Sequence, residues 1–132
     1  MIEQTELVVS KWKYKPPVTS IEGEDSNKLT SQIEFEVMKK QAATKKGIAC
    51  RFTIEFVFEN EKILEYSAED SYVIDLWEVI DKNELCVMIR NSFSKFKDNF
   101  DLRKLGTVLE NKTLLSFNES VYDLDPVLEL LK

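Results

Sequence analysis

The chain contains no histidine, which removes the commonest general base and the commonest metal ligand. Its 3 glycines, Gly23, Gly47 and Gly106, lie too far apart to build a phosphate-cradling loop. With 3 prolines besides, the chain is neither loop-dominated nor of low complexity. The 2 cysteines, Cys50 and Cys86, sit in apolar-patterned segments without metal-like spacing, and they read as buried thiols rather than as a disulfide or a nucleophile. No apolar run approaches the ~20 residues that span a bilayer. The first residues, Met1-Ile2-Glu3-Gln4-Thr5-Glu6, have neither the basic nor the apolar region of a secretory signal, so a cytoplasmic location is expected.

Positive charge is outnumbered. The 24 acidic and 18 basic residues leave a net charge of −6, which disfavours phosphate backbones and anionic lipid as partners. Lys11, Lys13 and Lys15 alternate with aromatics, and Lys39, Lys40, Lys45 and Lys46 flank a loop; these read as a solvated strand face and a solvated hairpin tip. No nucleic acid, no membrane and no cofactor is expected.

A hydrophobic fraction of 43%, with 8 Phe, 4 Tyr and 2 Trp in 132 residues, is ample for one core, and residues 1–132 are expected to form a single domain. Period-2 alternation dominates the first half. In Ile48-Ala49-Cys50-Arg51-Phe52-Thr53-Ile54-Glu55-Phe56-Val57-Phe58-Glu59, every even position is a large apolar residue or Cys. Successive strand side chains point to opposite faces, so one face is apolar and the other polar. Gln32 to Val37 and Leu64 to Glu69 repeat the pattern, while Leu7 to Tyr14 forms a first strand stopped by Pro16-Pro17. Residues 16–31 read as a long polar loop. Gln41 to Gly47 and Glu59-Asn60-Glu61-Lys62 read as hairpin connections. The alternation slips around Ala68 to Tyr72, which suggests a bulge or kink.

The period changes after Asp81-Lys82-Asn83. Leu85, Met88, Ile89, Phe93, Phe96 and Phe100 share one helical face, Asp81 or Asn83 can cap it, and Gly106 can end it, giving a helix of roughly 20 residues. Val108 to Asn118 reads as irregular or extended. Asp125-Pro126 signals a last short helix, as a cap followed by proline. Strands first and helices afterwards define an α+β fold: a four-stranded antiparallel sheet, then a long helix and a short C-terminal helix packed on one face.

Glu34, Glu36, Glu55, Glu59, Glu65 and Glu69 fall on the polar side of strands, which favours a solvated face over a pair for acid/base work. Glu22, Glu24 and Asp25 lack calcium-loop spacing. Catalysis is not expected. The acidic sheet face either receives a basic partner or serves solubility alone. Trp12, Tyr14, Tyr72, Trp77 and Tyr122 either line an exposed groove or interface or pack in the core.

Gly106-Thr107, then Leu114-Leu115-Ser116-Phe117, then Val121-Tyr122-Asp123-Leu124-Asp125-Pro126-Val127-Leu128, resembles the tail of SecB-type export chaperones. There a Gly-Thr or Gly-Gly at the helix end precedes alternating Leu residues and a Val-x-Phe-Asp-x-Leu segment. Ile63-Leu64-Glu65-Tyr66-Ser67-Ala68 followed by Tyr72-Val73-Ile74 is similar to that family's fourth strand. Asp70-Ser71 and Asp81-Lys82-Asn83 stand where the family has a Gly-rich step and a Pro-rich connection, so the resemblance is to a remote SecB-like protein.

The resemblance implies a homo-oligomer, dimer or tetramer, built through the first strand and the long helix. It implies a cytosolic chaperone that binds non-native polypeptides without catalysis, in an apolar groove expected at Trp12, Tyr14, Leu115 and Phe117. In the family an acidic sheet face receives the basic tail of the SecA motor; the corresponding acidic partner face here is expected at Glu34, Glu36, Glu55 and Glu65. Some relatives chaperone an antitoxin, so the alternative is an interaction module for one folded partner in a phage or toxin–antitoxin context.

Overall fold

In a computed structural model, which describes residues 2–4, 7–17, 29–41, 45–112 and 123–130, the strands come first and the helices follow. The strands are β1 (Ile2–Gln4), β2 (Val8–Tyr14), β3 (Leu29–Gln41), β4 (Lys45–Phe58) and β5 (Glu61–Asp75). The helices are α1 (Lys82–Arg103) and α2 (Asp125–Leu130). All pairings are antiparallel, β3 with β4, β4 with β5, and β5 with both β1 and β2. The expected first strand is β2; β1 was not expected and lies along the same edge of β5, so the sheet is four rows wide although it has five strand segments.

Two other expectations change. Gln41 to Gly47 is not one loop: β3 runs to Gln41 and β4 starts at Lys45, with Lys46 paired to Gln41. Charged and glycine residues gave these ends no apolar alternation, yet backbone pairing alone continues the ladder through them. The slip near Ala68 is not a bulge in β5, whose pairing with β4 is unbroken from Leu64 to Asp75; the register shift there lies in β2, between Val9 and Lys11 opposite Ala68 and Ser67. Leu64, Tyr66, Ala68, Asp70, Tyr72 and Ile74 all face inward and are buried. The pattern looked broken because Asp70 takes a core position.

The turn between β4 and β5 is Glu59-Asn60, with φ of 50° and 63°. Two successive positive φ angles match the right-handed twist of a two-residue hairpin. In α1 the Asp81 side chain accepts from the Glu84 N–H at 2.8 Å, an N-cap with the acidic residue in the first turn that favours the helix dipole. The helix ends at Lys104, whose N–H bonds to the Phe100 carbonyl, and Gly106 takes φ 81° in the turns that follow. Leu109 folds back into the core from these turns and is fully buried. α2 begins one residue earlier than a capping Asp125 would give: the Leu124 carbonyl accepts the Leu128 N–H, and Asp123 accepts from the Asp125 N–H at 3.1 Å.

α1 lies across the inner face of the sheet through Leu85, Met88, Ile89, Phe93, Phe96 and Phe100. Phe96 stacks on Tyr66 at 4.3 Å between ring centroids, and Phe52 meets both Phe93 and Phe96. The Tyr66 hydroxyl donates to Asn99 Oδ1 at 2.9 Å, so even this buried polar tip is satisfied. Burial pushes the Tyr66 hydroxyl well above its usual range.

Candidate functional site

Trp12 and Tyr14 are two residues apart on β2 and face the helix side, opposite Tyr66 and Leu64. Both are half-buried. The Trp12 ring meets Tyr66 edge-on at 5.3 Å, and the Arg103 guanidinium lies 5.7 Å from its centroid. The Tyr14 hydroxyl accepts from the Val108 N–H at 3.1 Å. The structure thus brings these two aromatics together beneath the end of α1. Leu115 and Phe117, the other expected groove residues, lie outside the described residues, as does Tyr122.

The expected acidic face is the outer face of the sheet. Its side chains form cross-strand rows: Gln32, Glu55, Glu65 and Lys13; then Glu34, Thr53, Ser67 and Lys11; then Glu36, Arg51 and Glu69. Charge therefore grades from acidic at β3 to basic at β2. Glu55 and Glu65 both pair with Lys62, at 3.1 and 2.9 Å, and Glu65 also pairs with Lys11. Arg51 lies 3.8 Å from Glu36 and 3.5 Å from Glu69. Glu34 and Glu36 are the two expected acidic residues that remain exposed.

The ammonium groups of Lys11 and Lys62 beside Glu65 hold its carboxyl down at about 2, below the usual 4.5. A depressed carboxylate contributes stability that is present above its unfolded value and lost as pH falls toward the folded one. The Glu65→Gln variant is therefore expected to lose less stability than the parent between about pH 5 and pH 2. Denaturant midpoints across that range check this, and high salt should shrink the difference because the pairs are solvent-screened.

The two most exposed large apolar side chains among the described residues lie elsewhere. After β5 the chain turns through residues 76–80, where the Glu78 N–H bonds to the Asp75 carbonyl. Ile80 anchors this turn in the core, while Trp77 is 78% exposed and Val79 84% exposed. Between the turn and α2 lies a groove of about 580 Å³, lined by Lys46, Leu76, Trp77, Val79, Leu128 and the carboxylates of Glu78, Asp125 and Glu129 among others. Lys46, one of the lining residues, is buried and donates to the Glu78 carbonyl at 2.6 Å. Trp77 was legible as an aromatic in excess of the core. Its partner α2, some fifty residues downstream, was not.

For chemistry the described residues offer little. Cys50 is buried, and its thiol is pushed up to about 12 by that burial, so it is not a thiolate at neutral pH. Both cysteines are free. Among the described residues no three His, Cys, Asp or Glu side chains cluster as metal ligands, and no helix is long and apolar enough to cross a membrane.

An antiparallel sheet covered on one face by a long helix, with a short terminal helix beside it, is the α+β architecture of SecB-like proteins. The Mycobacterium tuberculosis Rv1957 SecB-like chaperone, solved in complex with a ChAD peptide from the Rv1956 HigA1 antitoxin, superimposes with a TM-score of 0.59. The match covers 89% of this chain and 90% of that one at 10% identity, and at that identity the likeness is one of fold. A Streptococcus agalactiae protein of unknown function matches over 89% of this chain and 97% of that one, at 12% identity and a TM-score of 0.47. No sequence family and no curated protein matches the chain.

Proposed function

We propose that this protein is a cytosolic SecB-like chaperone that holds non-native polypeptides without catalysis or cofactor. The observation that carries this reading is the groove between residues 76–80 and α2, where Trp77 and Val79 stand out into solvent. A large aromatic exposed beside a concave apolar surface is a recognition feature, because desolvating it on binding contributes more than its share of affinity. The SecB-like fold supports the same reading, since the Rv1957 chaperone holds an antitoxin-derived peptide. Trp12 and Tyr14 on β2, together with Leu115 and Phe117, which lie outside the described residues, would add a second apolar contact. On the outer face, Glu34 and Glu36, with the Lys62-paired Glu55 and Glu65 in the next cross-strand row, would meet a basic partner and speed its encounter. A dimer or tetramer would set several such surfaces side by side.

The test is an aggregation assay on an unfolded client at stoichiometric amounts, with solution mass measured alongside. Slower aggregation supports the proposal; no effect on several chemically different clients overturns it. A second reading, an interaction module for one folded partner, gains support from the single antitoxin source of the peptide held by the Rv1957 chaperone. Capture of one stoichiometric partner without any effect on generic clients would select it.

A further inference from the structure

Along the outer edge of β5, β2 pairs from Leu64 to Glu69 and β1 pairs from Tyr72 to Ile74. Asp70 sits opposite the break between them. It is fully buried and faces α1. One carboxylate oxygen accepts from Gln4 Nε2 at 2.6 Å and from Ser92 Oγ at 2.7 Å, and the other accepts from Lys95 Nζ at 3.3 Å. Three elements, β1, β5 and α1, meet at one carboxylate.

We propose that β1 is a detachable strap latched by the Gln4–Asp70 hydrogen bond, and that its release bares the β5 edge at Tyr72–Ile74. Three residues make few ladder bonds, so β1 belongs to the low-stability end of the structure, where local opening precedes global unfolding. The latch is a 2.6 Å hydrogen bond to a side chain that also pairs with Lys95, a charge-assisted setting in which hydrogen bonds are among the stronger kinds. Its geometry suits reversible opening. When Gln4 leaves, Asp70 keeps the Ser92 hydroxyl and the Lys95 ammonium, so release does not abandon an unpaired charge in the core. The uncovered β5 edge then presents unpaired N–H and C=O groups, the template on which an extended segment adds as a strand.

Hydrogen exchange on the full chain tests this. In Gln4→Ala, the amides of residues 2–4 and those of Tyr72–Ile74 that bond to β1 are expected to exchange about tenfold faster or more. In Gln4→Glu, which sets a carboxylate against Asp70, the increase should be larger. Protection in α1 and β4 should stay at the parent level in both. Unchanged exchange at the β1–β5 edge overturns the proposal. So does an equal loss of protection in α1 and β4, because Gln4 would then be one more contact of the global fold.

Discussion

Phe96→Ala is expected to lower the free energy of unfolding by about 3–5 kcal/mol, read as a shift in urea midpoint at unchanged slope. Phe96 is fully buried, and it is the ring through which α1 grips the sheet. It stacks on Tyr66 with planes 7° apart, sits 5.4 Å from Phe52, and has Phe93 at 6.2 Å. Truncation removes these contacts and leaves a cavity between a helix and a sheet. Neither can move to fill it without shifting the other hydrophobic pairs of α1. The Tyr66 hydroxyl would keep its bonds to the Phe96 carbonyl and Asn99, so the loss reports packing and not an orphaned polar group. For a domain whose whole stability is about 5–15 kcal/mol, this change alone removes a large part of it. A shift under about 1 kcal/mol would mean that α1 is not held on the sheet by this aromatic cluster.

The same residues explain what could be read in advance. Leu85, Met88, Ile89, Phe93, Phe96 and Phe100 were legible as a helix face because helical periodicity is set by local geometry, and the structure buries all of them. The alternation of β4 was legible for the same reason. Asp70 was not. A carboxylate in a core position becomes acceptable only once Gln4, Ser92 and Lys95 arrive from two other elements, and nothing local to β5 announces them. The outer face was half legible. Its glutamates follow from alternation, but cross-strand register decides that Lys62 and Lys11 meet Glu55 and Glu65 while Glu34 and Glu36 remain exposed. The apolar groove was the least legible. Trp12 and Tyr14 alternate with Lys11 and Lys13 and so share the helix side of β2, whereas the exposed Trp77 gains its meaning from α2, which the chain brings back only at its far end.

That placement gives the strongest functional expectation. On the proposed reading, Trp77→Asp should weaken client binding by about thirtyfold, the size of losing one aromatic hot spot, and should abolish aggregation suppression at stoichiometric amounts of the protein. At 78% exposure the side chain contributes little to the fold, so the free energy of unfolding should change by no more than about 0.5 kcal/mol. Separation of the two readouts is the informative result. If stability falls with binding, Trp77 is a structural residue; if neither changes, clients use the Trp12 and Tyr14 edge instead. The groove's carboxylates add a second, independent dimension. Glu78, Asp125 and Glu129 outnumber Lys46 in the groove's lining, so negative charge accompanies its apolar side chains. A client segment with Lys or Arg flanking its apolar residues should therefore associate faster than one flanked by Asp or Glu, and that advantage should shrink as salt is raised. The contribution of Trp77 should persist in high salt, because the burial of apolar surface is not a Coulombic effect.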